Sequence, residues 1–500
     1  MDSVFIHPPI QIKNKNSSLL NKITNFIKNL YENNSFLGEK RAITCNFSIM
    51  PMGLISLASC LEKEGYSTKI YNIALETEIT PFMDIEKKIK SIDSNVYFID
   101  LHWNVHSRGA IEIAQLCKKL HPNSQIVLGG LTASWYYLEI MNNYTCVDYI
   151  IQGEAENVIG KIMNSIKYNK PINNIPGIVY RKNSYIKVNK MRVPPTNLDI
   201  FDFTNVDLIE DYQNYFKTRA RGFQKNAIPS IWLPIARGCK YNCIYCGGGQ
   251  IAYSLITGRK KICYRKPIKI VDDIQKLYEK GVKMICFSHD PQMAGSNFFL
   301  ELFQEVRKRH IDIGGYLELF NLPSDLFLEE YHKTFTSHII TVSPESASED
   351  IRRFIGKPFS NHQFFKVLTK IDDLKINSLV YFLIGLPKET LSSFDLLKSM
   401  IDKIFKKTRY AHVIPPSPYI LDPNSLMAIQ PEKYDTKIFF KGFENYYNMI
   451  LKEGKLKDIW KRMLGYETLT LTRDDILNLL IKSREYIYKK MLNEKKYFFS

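Results

Sequence analysis

At 500 residues, with an apolar share of 45% and a charged share of 24%, the chain exceeds one compact domain and has an ordinary globular composition, which excludes long disorder and a fibrous build. The formal net charge of +17 favours polyanions in general, but the excess is mostly Lys spread along the chain (259–261, 403–407, 452–461) rather than an Arg and aromatic stripe, so solvated helix faces explain it and no nucleic-acid partner is expected. No run of about 18 apolar residues occurs, and the start has no basic stretch ahead of a long apolar core, so a cytoplasmic protein with no membrane association is expected.

Nine cysteines, an odd count, fall as three clustered and six scattered (Cys45, Cys60, Cys117, Cys146, Cys263, Cys286). This suits a reducing compartment and not a disulfide framework.

Residues 1–195 alternate strand and helix. Strands are predicted at 3–7, 68–73, 96–100, 125–128 and 148–151, with helices over 53–64 and 107–120. Such alternation predicts an α/β fold with a doubly wound, Rossmann-like parallel sheet whose ligand lies at the carboxyl ends of the strands. The residues there are Pro8 and Pro9, His102 and Trp103, Gly129, Gly130 and Thr132, and Gly153 and Glu154; Gly53 opens the first helix. His102 and Trp103 are equally suited to capping a strand end and packing. Residues 11–47 read as an insertion without an assignable role.

Residues 196–225 read as a connector, and alternation resumes over 226–415. Strands at 230–236, 284–288, 315–319, 339–342, 379–384 and 410–414 make six strand and helix units, a partial (β/α)6 barrel of the TIM type with its chemistry at the C-terminal rim. The loop leaving the first of these strands reads Cys239-Lys-Tyr-Asn-Cys243-Ile-Tyr245-Cys246-Gly247-Gly248-Gly249. Three thiolates at this spacing hold three irons of a [4Fe–4S] cluster and leave the fourth open. Zinc sites usually show a second Cys or His pair, and none follows at ribbon or finger spacing. The glycines allow backbone N–H groups close to a ligand.

Other rim residues carry two readings each. Asp290 closes the second unit, as a partner for a ligand ammonium or as a helix cap. Glu318 sits in an otherwise apolar strand, where an acid needs a partner, a ligand or solvent. Gly385 suits either stacking contact with a ligand or a tight turn. The run 415–425 reads as a lid with Tyr419 or Asp422 toward substrate, or as a Pro-stiffened linker. Residues 430–500 read as helical, Lys-rich and amphipathic, so 416–500 form a C-terminal lid and helical region.

The cysteine loop resembles the CxxxCxΦC loop of the radical S-adenosylmethionine superfamily, where the open iron binds the amino and carboxylate groups of S-adenosylmethionine and reductive cleavage gives a 5′-deoxyadenosyl radical. Pro8-Pro9, Met52-Gly53-Leu54, Gly129-Gly130 and Asp148 to Glu154, in this order ahead of that loop, resemble the cobalamin-binding domain that precedes the barrel in many of these enzymes. By the same resemblance, Ser343, Glu345 and Arg352 fall in the fourth-strand segment that contacts S-adenosylmethionine, with Arg352 holding its carboxylate and helix capping the other reading of Ser343 and Glu345, and Gly385 falls in the fifth-strand loop near adenine. The DxHxxG motif of His-ligated cobalamin domains is missing, so cobalamin without a histidine ligand is implied. The resemblance implies methyl transfer to an unactivated carbon or to phosphorus of a small molecule, with electrons from a reductase or a ferredoxin or flavodoxin. Radical cyclisation or rearrangement is the alternative on the same architecture, and an inactive cobalamin or Fe–S sensor or scaffold is the alternative of another class.

Overall fold

A computed structural model describes residues 1–12, 47–81, 83–183, 185–191, 193–219, 222–449 and 456–494. The expected insertion at 11–47 lies almost wholly outside them. The chain forms two compact units, one of Met1–Pro194 with Phe201–Ile228 and Gly442–Asn448, the other of Pro195–Ile200, Pro229–Lys441 and Met449–Ser500.

In the first unit β1 (Ser3–His7), β2 (Thr68–Asn72), β3 (Val96–Asp100), β4 (Gln125–Gly129), β5 (Tyr149–Ile151), β6 (Ile178–Lys182) and β7 (Tyr185–Val188) form one sheet of order β2-β1-β3-β4-β5-β6-β7. The first five are parallel, and β1 and β3 are buried along their whole length. Strands covered on both faces need continuous apolar runs, and Val-Phe-Ile and Val-Tyr-Phe-Ile supply them. Chain direction across the sheet reverses between β1 and β3, the switch point where such sheets bind ligands. The antiparallel hairpin β6–β7 was not expected; it turns at Asn183, whose φ of 49° is one that Asn tolerates well. Helix Gly53–Lys63 buries Leu54, Ile55, Ala58 and Leu61, and helix Ser107–Leu120 buries Ala110, Ile111, Ile113, Ala114 and Cys117, both at helical spacing. Residues 442–448 complete this unit: Phe443 N–H donates to Glu139 Oε2 (2.6 Å) and Tyr144 Oη to Glu444 Oε1 (2.5 Å).

The second unit has six parallel strands in sequential order, β8 (Ser230–Leu233), β9 (Met284–Phe287), β10 (Gly314–Leu319), β11 (His338–Glu345), β12 (Asn377–Phe382) and β13 (Ala411–Val413). Helices Pro267–Glu279, Ser296–Lys308, Asp325–Thr334, Asn361–Asp373 and Ser393–Lys407 alternate with them, the order of an open (β/α)6 barrel. Two details differ from expectation. The first strand stops at Leu233 because Pro234 has no N–H to continue the ladder, and Ala236–Arg237 pairs instead with Cys263–Tyr264. Thr436–Ile438 and Tyr466–Thr468 form an antiparallel strand pair inside the region expected to be helical. Helix Arg473–Asn493 packs on helices Ser393–Lys407 and Leu456–Met463. Among the described residues no helix is long and apolar enough to cross a membrane.

Candidate active site and cofactor positions

Cys239, Cys243 and Cys246 are partly exposed on the loop after β8. The loop is closed by Cys246 N–H to Cys243 O (3.1 Å) and Gln250 N–H to Tyr241 O (2.8 Å). Tyr241 N–H points at Cys239 Sγ (3.4 Å) and Gly248 N–H at Cys246 Sγ (3.3 Å), donors that favour thiolate. Burial nevertheless pushes all three thiols up, Cys246 to about 12, so binding iron here releases protons. Three cysteine thiols on one short loop are the ligand set of a cubane that leaves one iron open, so the donor set fits the cluster.

The 415–425 run, expected as a lid or a linker, packs on the cysteine loop. Tyr419 Oη donates to Tyr245 O (2.8 Å), Asp422 Oδ2 accepts from Gly247 N–H (3.0 Å), and Asn424 Nδ2 donates to Gly247 O (2.7 Å) and Ala252 O (3.1 Å). This strap fixes the backbone that follows the last cysteine. It also explains Gly247, where an added Cβ would stand 2.6 Å from Asn424 Oδ1 and 2.7 Å from Asp422 Cβ. That glycine makes room for protein, not for a ligand; Gly248 is exposed, and a Cβ there would meet only Cys246 Sγ at 3.6 Å.

Beside the loop stands a charged network. Glu345, at the end of β11 with φ 65°, accepts at Oε1 from Tyr245 Oη (2.9 Å) and Lys357 Nζ (2.9 Å), and Lys357 also donates to Ser343 O (2.7 Å). A positive φ at a non-glycine residue persists only where its surroundings hold it. The ladder between β11 and β12 shifts register between Val342 and Glu345, across Pro344, and that irregularity aims the carboxylate. Lys357 was not foreseen; the nearby cation singled out was Arg352. Arg352 is fully buried, and its guanidinium donates to Phe359 O (3.1 Å), Ser346 O (2.7 Å) and Asn361 Oδ1 (2.7 Å). These three acceptors occupy the guanidinium that was expected to hold a ligand carboxylate, and through them Arg352 shapes the 346–361 segment.

Asp290 takes the capping role of its two readings: Oδ1 accepts from Gln292 N–H (2.9 Å) and Oδ2 from Phe320 N–H (3.2 Å), and the residue is 1% exposed. Burial pushes it up to about 6. The adjacent His289 joins Ser288 Oγ (2.8 Å) and Gly238 O (3.0 Å); burial lowers it to about 4, so the neutral ring ties β9 to the cysteine loop.

Glu318 accepts from Tyr316 Oη (2.9 Å), which also meets Thr341 Oγ1 (2.9 Å), and Tyr316 stands edge-on to Trp232 at 5.5 Å. Side chains two apart share a strand face, so Tyr316 and Glu318 mark one face of the sheet. Glu318 has open surface, yet surrounding protein holds its carboxyl above the usual range, with Glu345 raising it further and Lys357 opposing. Gly385, at φ +93°, turns the chain after β12; its N–H and that of Leu386 donate to Glu389 Oε2 (2.7 and 3.0 Å), and a Cβ would meet Ile476 Cγ2 at 3.0 Å and Tyr466 Oη at 3.1 Å. The turn and its packing alone demand glycine. Glu389, buried and pushed up to about 7 by desolvation, was not foreseen.

In the first unit the expected residues gather at the carboxyl rim of the sheet. Pro8 follows β1, His102 and Trp103 follow β3, Gly129 ends β4, and Gly153 and Glu154 follow β5. A Cβ on Gly53 or Gly129 would meet nothing within 4 Å, so both leave open space. Gly130, at φ +108°, is needed for the close pass of the 101–102 backbone: a Cβ would lie 2.6 Å from His102 N. Thr132 Oγ1 donates to His102 O (3.0 Å), and Gly153 N–H to Ser134 Oγ (3.0 Å). Trp103 packs edge-on against His102 and Phe47, each at 4.9 Å. An open, glycine-floored rim at a switch point fits a large flat cofactor.

Comparison with known proteins agrees. Residues 233–401 match the family model of the radical SAM superfamily and 40–162 that of the B12 binding domain. An uncharacterised methyltransferase of Pyrococcus horikoshii is 23% identical over 77% of this chain and 82% of its own. The anaerobic magnesium-protoporphyrin IX monomethyl ester cyclase of Rubrivivax gelatinosus is 21% identical over 69% of this chain and 60% of its own. In fold the chain is similar to the radical S-adenosylmethionine methyltransferase TsrM from Kitasatospora setae, solved with cobalamin and a [4Fe–4S] cluster (TM-score 0.60, 14% identity, 86% of this chain and 78% of that one). It is also similar to the cobalamin-dependent S-adenosylmethionine radical enzyme OxsB (0.55, 15%, 98% of this chain and 56% of that one). Its cofactors are accordingly a [4Fe–4S] cluster, S-adenosylmethionine and cobalamin. The chain belongs to the radical S-adenosylmethionine enzymes that carry a cobalamin-binding domain.

Proposed function

We propose that this enzyme transfers a methyl group to an unactivated carbon, or to phosphorus, of a small molecule. The observation that carries the reading is a B12 binding domain and a radical SAM domain in one chain whose curated relative over 77% of its length bears a methyltransferase name. When bound, the cluster and S-adenosylmethionine supply a hydrogen-abstracting radical and cobalamin a transferable methyl group.

The chain's own part follows from the network described above. Cys239, Cys243 and Cys246 hold the cluster. Glu345 presents a carboxylate for an ammonium and Lys357 an ammonium for a carboxylate, a complementary pair for the amino-acid end of S-adenosylmethionine. Tyr245 and Ser343 brace that pair, Glu318 and Tyr316 line the neighbouring face, and Gly248 and Gly385 shape the two loops. Cobalamin takes the rim of Pro8, Gly53, His102, Trp103, Gly129, Gly130, Thr132, Gly153 and Glu154. In these terms 1–195 is the cobalamin domain, 196–225 the connector, 226–415 the barrel and 416–500 the C-terminal region, of which 419–424 serve the cysteine loop. Electrons come from a reductase, ferredoxin or flavodoxin.

The curated cyclase supports a second reading, ring closure without net methyl transfer, although this chain spans only 60% of that protein. Anaerobic reconstitution with methyl-labelled S-adenosylmethionine distinguishes them. Methyl transfer yields labelled product with both 5′-deoxyadenosine and S-adenosylhomocysteine. Deoxyadenosine with an unlabelled product supports cyclisation, and neither product from a reduced, intact cluster refutes an active enzyme.

A further inference from the structure

At the switch point of the first sheet, His7 ends β1, Asp100 ends β3, and His106 closes the turn Asn104–His106 that follows. All three are buried, at 0%, 5% and 0% exposure. One ligand atom from each lies within 4.8 Å of the other two, and this is the one such group of His, Cys, Asp or Glu among the described residues. His7 Nδ1 stands 2.8 Å from Asp100 Oδ2, and the His7 and His106 rings are 4.7 Å apart at 82°.

Hydrogen bookkeeping at His7 points to a cation. Its Nε2 lies 3.0 Å from Phe47 O, a carbonyl that can only accept, so Nε2 carries the hydrogen. A neutral ring then turns a lone pair toward the Asp100 carboxylate. Two acceptors meet at 2.8 Å only if something positive lies between them, either a proton, carried by the ring or by the Asp100 carboxyl, or a metal ion. The presence of His106 within ligand reach favours the metal. Two imidazoles and one carboxylate are a common donor set for zinc and its first-row neighbours. Nε2–H to a backbone carbonyl is also the outer-shell bond that fixes the tautomer of a metal-binding histidine. Zn–N and Zn–O distances of about 2.0–2.2 Å put ligand atoms roughly 3.4 Å apart, which small side-chain adjustments reach from the present spread.

We propose that His7, Asp100 and His106 form a divalent transition-metal site, zinc being its simplest occupant, separate from the cysteine cluster. The ion ties the ends of β1 and β3 to the 104–106 turn and so stiffens the rim of this unit. Burial gives it a structural role.

The test uses the full-length chain with Cys239→Ala, Cys243→Ala and Cys246→Ala, so that zinc cannot occupy the cluster thiolates. Zinc is supplied by equilibrium dialysis and counted by plasma mass spectrometry, and melting is followed with and without it. The parent should hold about one zinc per chain and melt higher with zinc. Asp100→Asn and His106→Gln, both close in size to the native residues, should weaken zinc at least tenfold and abolish that rise; His106→Ala should do the same. A folded parent that binds no zinc would overturn the proposal in favour of a proton shared by His7 and Asp100, and variants that retain stoichiometric zinc would overturn it by placing the ion elsewhere.

Discussion

Glu389 offers a direct check on how the turn after β12 is held. Its Oε2 accepts from both Gly385 N–H and Leu386 N–H, and the residue is 5% exposed. Glu389→Ala leaves two buried donors unmet, at about 1–3 kcal/mol each, so the turn should loosen by roughly 2–6 kcal/mol. The ionisation of Glu389 acts on the same turn. Because burial raises the folded carboxyl from 4.5 to about 7, the folded state holds the proton more tightly than the unfolded one. The stabilisation is complete below pH 4.5, is lost as pH rises through 7, and at 1.36 kcal/mol for each pH unit amounts to about 3 kcal/mol. Glu389→Gln keeps an acceptor oxygen without the charge and should remove this dependence. Hydrogen exchange of the full-length protein, read on peptides covering 383–390 and corrected for intrinsic rates, measures it. Wild-type protection should fall by about two decades between pH 5 and 8, Glu389→Gln should stay flat, and Glu389→Ala should be poorly protected throughout. Wild-type protection in Glu389→Ala, or identical pH profiles for wild type and Glu389→Gln, would refute the reasoning.

Other expectations follow from the same geometry. Anaerobic protein should carry about four irons per chain; alanine at Cys239, Cys243 or Cys246 should abolish them, and alanine at Cys60, Cys117 or Cys146 should not. Gly247→Ala places a methyl 2.6 Å from Asn424 Oδ1 and should lower iron content severalfold, whereas Gly248→Ala should retain it. Arg352→Met strands two buried carbonyls, Ser346 O and Phe359 O, and the part-buried Asn361 Oδ1, and should cost about 3 kcal/mol, seen as a lower melting temperature. Bound cobalamin should show no imidazole nitrogen coupling in the spectrum of its reduced form, and His102→Ala should keep the cofactor; a histidine signal lost in that variant would contradict the unligated assignment.

The parallel strands were legible because burial on both faces forces uninterrupted apolar runs, as in 96–100 and 284–287. Edge hairpins such as β6–β7 lack that constraint and passed unnoticed. The cysteine loop was legible because its ligands are neighbours in the chain. What surrounds it was not, since Tyr419, Asp422 and Asn424 reach it from far along the sequence. Arg352 and Lys357 show a finer limit. Both are cations in one short segment, and only the path of 346–361 decides that one is enclosed by carbonyls while the other meets Glu345.

The strap carries a consequence for biosynthesis. Gly247 is bound by Asp422 and Asn424, 175 and 177 residues downstream. At about 5–20 residues per second, the ribosome needs roughly 10–35 s after making the cysteines to release the residues that hold their loop. Until then the three thiols sit on an unanchored segment of nascent chain. Iron loading should therefore follow completion of the chain, and premature termination between 246 and 419 should leave thiols that oxidise or scavenge stray metal.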